Sequence, residues 1–312
     1  MMSLLIRKTA ILAKIETVYG TDPVPTGGAN AILIAGEPNV SPMDMKVVDR
    51  DILRTFFGNS EKLPTGIFSK VDFPCEVAGS GAAGTAPAWG PLLRACAFSE
   101  TISAGVSVAY APVTDSLESA TIYFNRNGVL HKLTGARGTV KFGFTVDAIP
   151  KFDFSFTGLF NTATDTAAPS LTLTAWKTPK VCNHTNTPTF TIHGVAAKLQ
   201  MLDIDMAHEI SAFALLNDTE HVEIVDRKPA GKIVMEATLV ATKDWWTTIK
   251  DATTGALQVV HGLTAGNIVQ VDAPKVQIFN PTYSNFQGIA MLNGDLVFAP
   301  NAGNDELVIT AK

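Results

Sequence analysis

The sequence predicts a mainly β protein: two tandem β-sandwich or barrel domains, each with one flanking α-helix, preceded by an N-terminal arm. Three observations predict it. The chain reads the same way twice, alternation of apolar and polar residues dominates both halves, and each half holds one segment of helical spacing. The divisions that follow are an arm over 1–29, a first domain over 30–161, a linker over 162–187 and a second domain over 188–312.

Each half opens on an apolar run ending in Gly, Ala31–Gly36 in one and Thr189–Gly194 in the other. Alternating segments come next, Met43–Val48 matching Leu202–Met206, and then polar turns, Gly58–Lys62 and Asn217–Glu220. A strand follows each turn, Ser69–Val77 and Gly231–Ala237. The helical segments are Trp89–Ala97 and Lys243–Asp251, each placed to cover one face of its sheet. Both halves close on an antiparallel meander. In the first, Val129–Leu133, Thr139–Val146 and Lys151–Thr157 alternate, the last with its aromatics on one face, as a half-buried strand requires. In the second, Gly255–Val260, Asn267–Val271, Lys275–Phe279 and Gly288–Leu292 repeat the pattern. The linker is rich in Thr, Ala and Pro, with Leu171–Trp176 as a further edge-strand candidate. In the arm, Ile11, Leu12, Ile15 and Val18 fall on one helical face, which needs a surface in its own domain or in a neighbouring subunit.

Composition narrows the class. With 312 residues, 46% hydrophobic and 17% charged, the chain can bury one or two full cores and is not disordered. A formal net charge of -5 without any Lys/Arg run argues against gripping nucleic acid by counterion release. No apolar stretch approaches the roughly 20 residues that cross a bilayer, and Arg7–Lys8 interrupts Leu4–Ile6, so neither membrane insertion nor a secretory signal is expected. The widely spaced Cys75, Cys96 and Cys182 fit reduced, buried thiols made in a cytoplasm.

Catalytic signals are weak, and no enzyme, cofactor or metal is expected. Gly79–Gly84 lacks the Gly-Lys-Ser/Thr of a phosphate cradle and reads as a flexible loop. Cys182–Asn–His184 with His193 lacks the paired spacing of a zinc site. His208–Glu209 reads as a surface pair on a strand, without the second histidine of a metalloprotease helix. Trp245–Trp246 is read as a helix packing one indole into the core, against the alternative of stacking a sugar or base.

Arg7–Pro23, Ala88–Cys96, Gly135–Val140 and Gly303–Leu307, in that order, resemble the major tail tube proteins of long-tailed, non-contractile bacteriophages over nearly the whole chain. The resemblance implies a structural virion protein that stacks into rings around a channel. It also implies a tape-measure protein in the lumen during assembly, tail terminator and tail-tip proteins at the ends, and later passage of DNA without specific binding. Relatives with one tube domain close as hexamers, so a chain carrying two implies a trimeric ring of pseudo-sixfold symmetry, assembled in the host bacterial cytoplasm.

Pairing of inner strands between neighbours would satisfy edge backbone groups and close a barrel. The hairpins Met43–Val77 and Leu202–Ala237 are the natural staves. Asn59, Ser60, Glu61 and Lys62 in one, and Asn217, Asp218 and Glu220 in the other, then project as ring-ring contact loops. Asp44, Asp203 and Asp205 are candidate lumen residues, since a channel for DNA should not bind phosphate; ordinary solvent-facing strand positions are the other reading. The arm residues Ile11, Leu12, Ile15 and Val18 are candidates for an inter-subunit contact. Alternative functions are a ring or cap element of a tail tip, baseplate hub or secretion tube, and, more remotely, a carbohydrate-binding β-sandwich using Trp245 and Trp246.

Overall fold

Alternation becomes structure in a computed structural model that describes residues 3–312. The first half supplies β1 (Thr9–Ile15), β2 (Ala31–Ile32), β3 (Asn39–Asp49), β4 (Lys62–Glu76), α1 (Gly90–Arg94), β5 (Phe98–Ser103), β6 (Ser107–Pro112), β7 (Ala120–Arg126), β8 (Val129–Thr145) and β9 (Lys151–Phe160). After β10 (Thr164–Asp165), the second half supplies β11 (Thr189–Ile192), β12 (Val195–Ala196), β13 (Leu199–Asp205), β14 (His208–Phe213), β15 (His221–Arg227) and β16 (Ala230–Glu236). It ends with α2 (Trp245–Lys250), β17 (Gly255–His261), β18 (Val269–Phe286), β19 (Ile289–Ala299) and β20 (Val308–Ala311).

The same ladder recurs. In the first half β1 pairs with β2 and β7, and the order continues β7–β8–β9–β4–β3, all antiparallel. In the second, β11 pairs with β12 and β17, and the order continues β17–β18–β19–β16–β13. Two further ladders stitch the halves together. Lys141–Thr145 at the end of β8 pairs with Met201–Asp205 of β13, and β20 pairs with β6. Among the described residues no succession of pairings returns to its start, so the chain is an open β-sandwich and not a closed barrel.

Half-buried strands such as β6 and β9 bury alternate residues. Phe152, Phe154 and Phe156 of β9 point inward beside Phe73 of β4, and the same core runs on through Ile204, Ile233, Leu292 and Leu296. Each such side chain contributes about 2 to 3 kcal/mol by leaving water. Both helices pack on the core, through Leu92 and Leu93 of α1 and Trp245 of α2. Trp89 precedes α1, donates its indole N–H to Ala78 O at 2.8 Å, and packs on Tyr110 and Phe152. Asp244 caps α2 by accepting from Thr247 N at 2.9 Å, which drives Trp245 into the core and leaves Trp246 half-exposed.

Several expectations need correction. Ile11, Leu12, Ile15 and Val18 do not share a helical face. Thr9–Ile15 is a strand buried on both faces: Ile11 enters the main core and Leu12 packs with Ala31, Tyr123 and Leu130, while Val18 is exposed. A doubly buried strand is a short continuous apolar run, which periodicity alone does not separate from a helix. Leu171–Trp176 forms no strand; its Thr172 N bonds Gly27 O and its Trp176 indole donates to Ala31 O, and β10 is the edge strand of the connecting stretch. Gly79–Gly84 is a clasp rather than a loose loop. A Cβ on Gly79 would fall 2.1 Å from Gly266 O, and Gly81 N donates to that same oxygen at 2.8 Å.

Candidate assembly surfaces

Both hairpins end in apolar side chains. Between β3 and β4, the loop exposes Leu53 (97%), Phe56 (67%) and Phe57 (107%); between β14 and β15, it exposes Leu215 (61%) and Leu216 (100%). The sequence-predicted Asn59, Ser60, Glu61 and Lys62 flank the first tip, where Glu61 pairs with Arg50 at 2.9 Å and Lys62 with Asp49 at 3.0 Å. Asn217 turns the second tip with φ 64, beside exposed Asp218 and Glu220. The polar residues therefore shape the turns, while the apolar ones form the patch. Contiguous exposed apolar surface marks a docking site.

Asp203 and Asp205 stand on the face of β13 turned away from Leu202 and Ile204, hence away from the core. Across that face Asp205 pairs with Lys141 of β8 at 2.9 Å, and Asp44 of β3 pairs with Lys70 of β4 at 2.6 Å. Asp203 lies opposite Lys232 in the ladder; burial raises its carboxyl above the usual range, Lys232 opposes that and Asp153 adds to it. The three acids thus share one sheet face with interleaved lysines.

Polar anchors hold the elements that carry these surfaces. Buried Glu16, just beyond β1, accepts from Ser119 Oγ (2.6 Å), Thr121 Oγ1 (2.6 Å), Gly135 N (2.8 Å) and Gly20 N (2.8 Å). Glu16→Ala strands those donors and is expected to cost about 3 kcal/mol, read as a lower urea midpoint at unchanged slope. Arg137 of β8 reaches the β14–β15 hairpin: its guanidinium donates to Val222 O at 2.8 Å, pairs with Glu223, and lies 5.0 Å from the Tyr19 ring centroid. At the hairpin's root Arg227 pairs with Glu306 and donates to Val113 O at 2.7 Å.

His208 is not the surface residue that its sequence neighbours suggest. It is buried at that same root, with Nε2 unpartnered, because it packs edge-on to Phe98 and takes a backbone bond to Thr139 Oγ1. Burial, aided by Arg227, lowers its pKa to about 4. The unfolded chain takes up that proton below about 6.5 while the fold refuses it. Stability is therefore expected to fall by about 3 kcal/mol as pH drops from 6.5 to 4. His208→Gln should flatten that slope in urea titrations, leaving the smaller slopes of His131, His193 and His261, which burial shifts the same way.

The remaining chemical candidates scatter. Cys182 is buried against His261, its Sγ 4.0 Å from Nδ1, while His184 bonds Thr185 and His193 donates its Nε2–H to Val276 O at 2.8 Å. The three thiols are free and buried, and burial pushes Cys75 and Cys96 up. Trp245 and Trp246 do not form a joint sugar platform: the first is in the core, its Nε1 donating to Thr238 Oγ1, and the second meets Tyr283 edge to face. The missed residues Leu53, Phe56, Phe57, Leu215 and Leu216 carried one signal, apolar runs interrupting otherwise polar turns.

An open β-sandwich with unpaired sheet edges and apolar hairpin tips offers surfaces of the kind on which other chains dock. The family model for phage tail tube protein matches residues 6–306, and the chain belongs to that family. Its role is thereby structural, as a component of the virion tail. No curated protein matches the chain.

Proposed function

We propose that this protein polymerises into stacked rings that form the tail tube and its channel for DNA. Each chain supplies two tandem units, 30–161 with β1 contributed by the arm 1–29, and 188–312, joined by 162–187. The observation that carries this reading is the β8–β13 ladder. It continues the sheet of one repeat into the next within a single chain, and leaves one open edge at β3 and another on β18 beyond Val276. A sheet that propagates through a repeat can propagate through a ring, and three chains would supply six near-equivalent units.

The face bearing Asp44, Asp203 and Asp205 then turns to the lumen, where interleaved acids and lysines offer DNA no continuous basic track. The tape-measure protein occupies that lumen during assembly in the host cytoplasm, and terminator and tip proteins close the ends. The hairpin tips stack ring on ring, through Leu53, Phe56, Phe57, Leu215 and Leu216 with Asn59–Lys62 and Asn217–Glu220 around them. Ile11, Leu12 and Ile15 are engaged within the chain, so of these four arm residues Val18 alone stays available to a neighbour. Electron microscopy of the concentrated protein, alone and seeded with tail tips, tests the reading. Tubes are expected, and monomers that never assemble under either condition overturn it.

A further inference from the structure

The joint between the two halves of one chain has a counterpart with no partner, and its register can be read. Equivalent backbone bonds align the halves: Val77 N donates to Pro150 O at 2.9 Å, and Ala237 N donates to Ala290 O at 3.0 Å. Counting from these, Asp72 corresponds to Lys232 and Phe152 to Leu292. Asp72 faces Asn39 across β3–β4, and Lys232 faces Asp203 across β13–β16, so Asn39 takes the place of Asp203. Phe152 faces Phe142, and Leu292 faces Tyr283, so Tyr283 takes the place of Phe142.

Within the chain Asp203 pairs with Gly143, Ile204 with Phe142 and Asp205 with Lys141. Their counterparts, Asn39, Val40 and Ser41 on β3 and Ser284, Tyr283 and Thr282 on β18, lie on strand edges without a partner. We infer that these edges join one copy to the next: Asn39 opposite Ser284, Val40 opposite Tyr283 and Ser41 opposite Thr282, antiparallel. This joint rests on the tube reading and specifies how its ring closes.

Three independent features fit it. Tyr283 and Trp246 are an exposed aromatic pair on the core side of β18, where Phe142 is buried in the first half, so Val40 of a neighbour would cover them as Ile204 covers Phe142. The next register position brings Pro42 opposite Pro281. In the chain Met206 N donates to Val140 O at about this position, at 3.1 Å, and that bond is the last of the β8–β13 joint. Two prolines lack the donor, so the ladder ends there and neither edge invites a longer, wrong pairing.

Finally, the β14–β15 hairpin lies over the non-core face of β8, touching Arg137 and Thr139. Their counterparts on β18 are Gln277 and Phe279. The distal part of β3–β4 carries exposed Met45, Val47, Val48 and Leu63, which would cover Phe279 and half-exposed Val297 in the neighbouring copy. A second copy therefore satisfies the edge, the aromatic pair and the apolar hairpin together.

Directly opposite residues in an antiparallel pair stand about 4.5 to 5.5 Å apart at Cα, within disulfide reach. In full-length protein, the double variant Ser41→Cys with Thr282→Cys, oxidised after tube formation, is expected to give reducible dimers and trimers, stopping at the trimer. Ser41→Cys with Ser284→Cys, two residues out of register, should link at least tenfold less. Tubes in which the first pair stays unlinked, or the second links equally, overturn this joint while leaving the tube reading standing. If the cysteine variants fail to assemble, a density map of wild-type tubes decides by showing β3 beside β18 or beside another strand. Wild-type protein that forms no tube overturns both.

Discussion

Phe56→Asp with Phe57→Asp is expected to abolish tube formation while leaving the folded subunit intact. Both side chains project from the β3–β4 tip into solvent, and their replacement removes only an exposed contact between the Arg54 guanidinium and the Phe56 ring, so the stability change should stay within about 0.5 kcal/mol. In a stacked tube each of these rings would be buried, contributing about 2 to 3 kcal/mol per side chain, and a buried aspartate would add the cost of an unpaired charge. The two effects repeat at every subunit of every ring, so even a modest loss per contact stops growth. Sedimentation at a concentration where wild type polymerises, with circular dichroism to show the fold, separates the outcomes. A double variant that polymerises like wild type would remove the tips from the stacking interface.

Arg137→Ala is expected to unseat the β14–β15 hairpin. The side chain is 9% exposed and its guanidinium bonds three backbone oxygens, Val222 O, Leu117 O and Glu118 O, besides its pairing with Glu223 and its stacking on Tyr19. Glu223 is 39% exposed, so water replaces much of its lost partner; the stranded backbone oxygens and the emptied site on Tyr19 carry the larger share. A loss of about 3 kcal/mol follows, together with faster amide exchange along His221–Arg227. Arg137→Lys keeps the charge without the fork and should recover only part of it. Unchanged exchange in that strand would show that the hairpin is held by something other than Arg137.

The legibility of this fold in its sequence follows from which faces are buried. β9 was readable because Phe152, Phe154 and Phe156 alternate with Asp153 and Ser155, one face dry and one wet. The same reasoning set Asp203 and Asp205 on the face away from the core, between Leu202 and Ile204. β1 was misread because both of its faces are dry, which erases the alternation. The matching of Met43–Val48 to Leu202–Met206 is displaced: Asn39 opposite Asp72 corresponds to Asp203 opposite Lys232, and the irregularities fall at different places, Ser41/Asp44 and Met45/Lys46 in β3 but Leu199/Met201 in β13. The hairpin tips were located by their polar turns, but Phe56 and Phe57 have no period to announce them. The β8–β13 joint was invisible for a different reason. A local pattern shows that a strand has two edges and says nothing about which distant strand lies beside them.

A sheet that passes from one half of the chain to the other is expected to pass on, through β18 and β3, to the next copy. Counting chains per ring in cryo-electron micrographs of the assembled tube tests it most directly. Three chains per ring, with six β-units around the channel and sheet continuous across every joint, is the predicted result. Rings whose chains meet without strand pairing between β3 and β18 would contradict it, and six chains per ring would overturn the trimer.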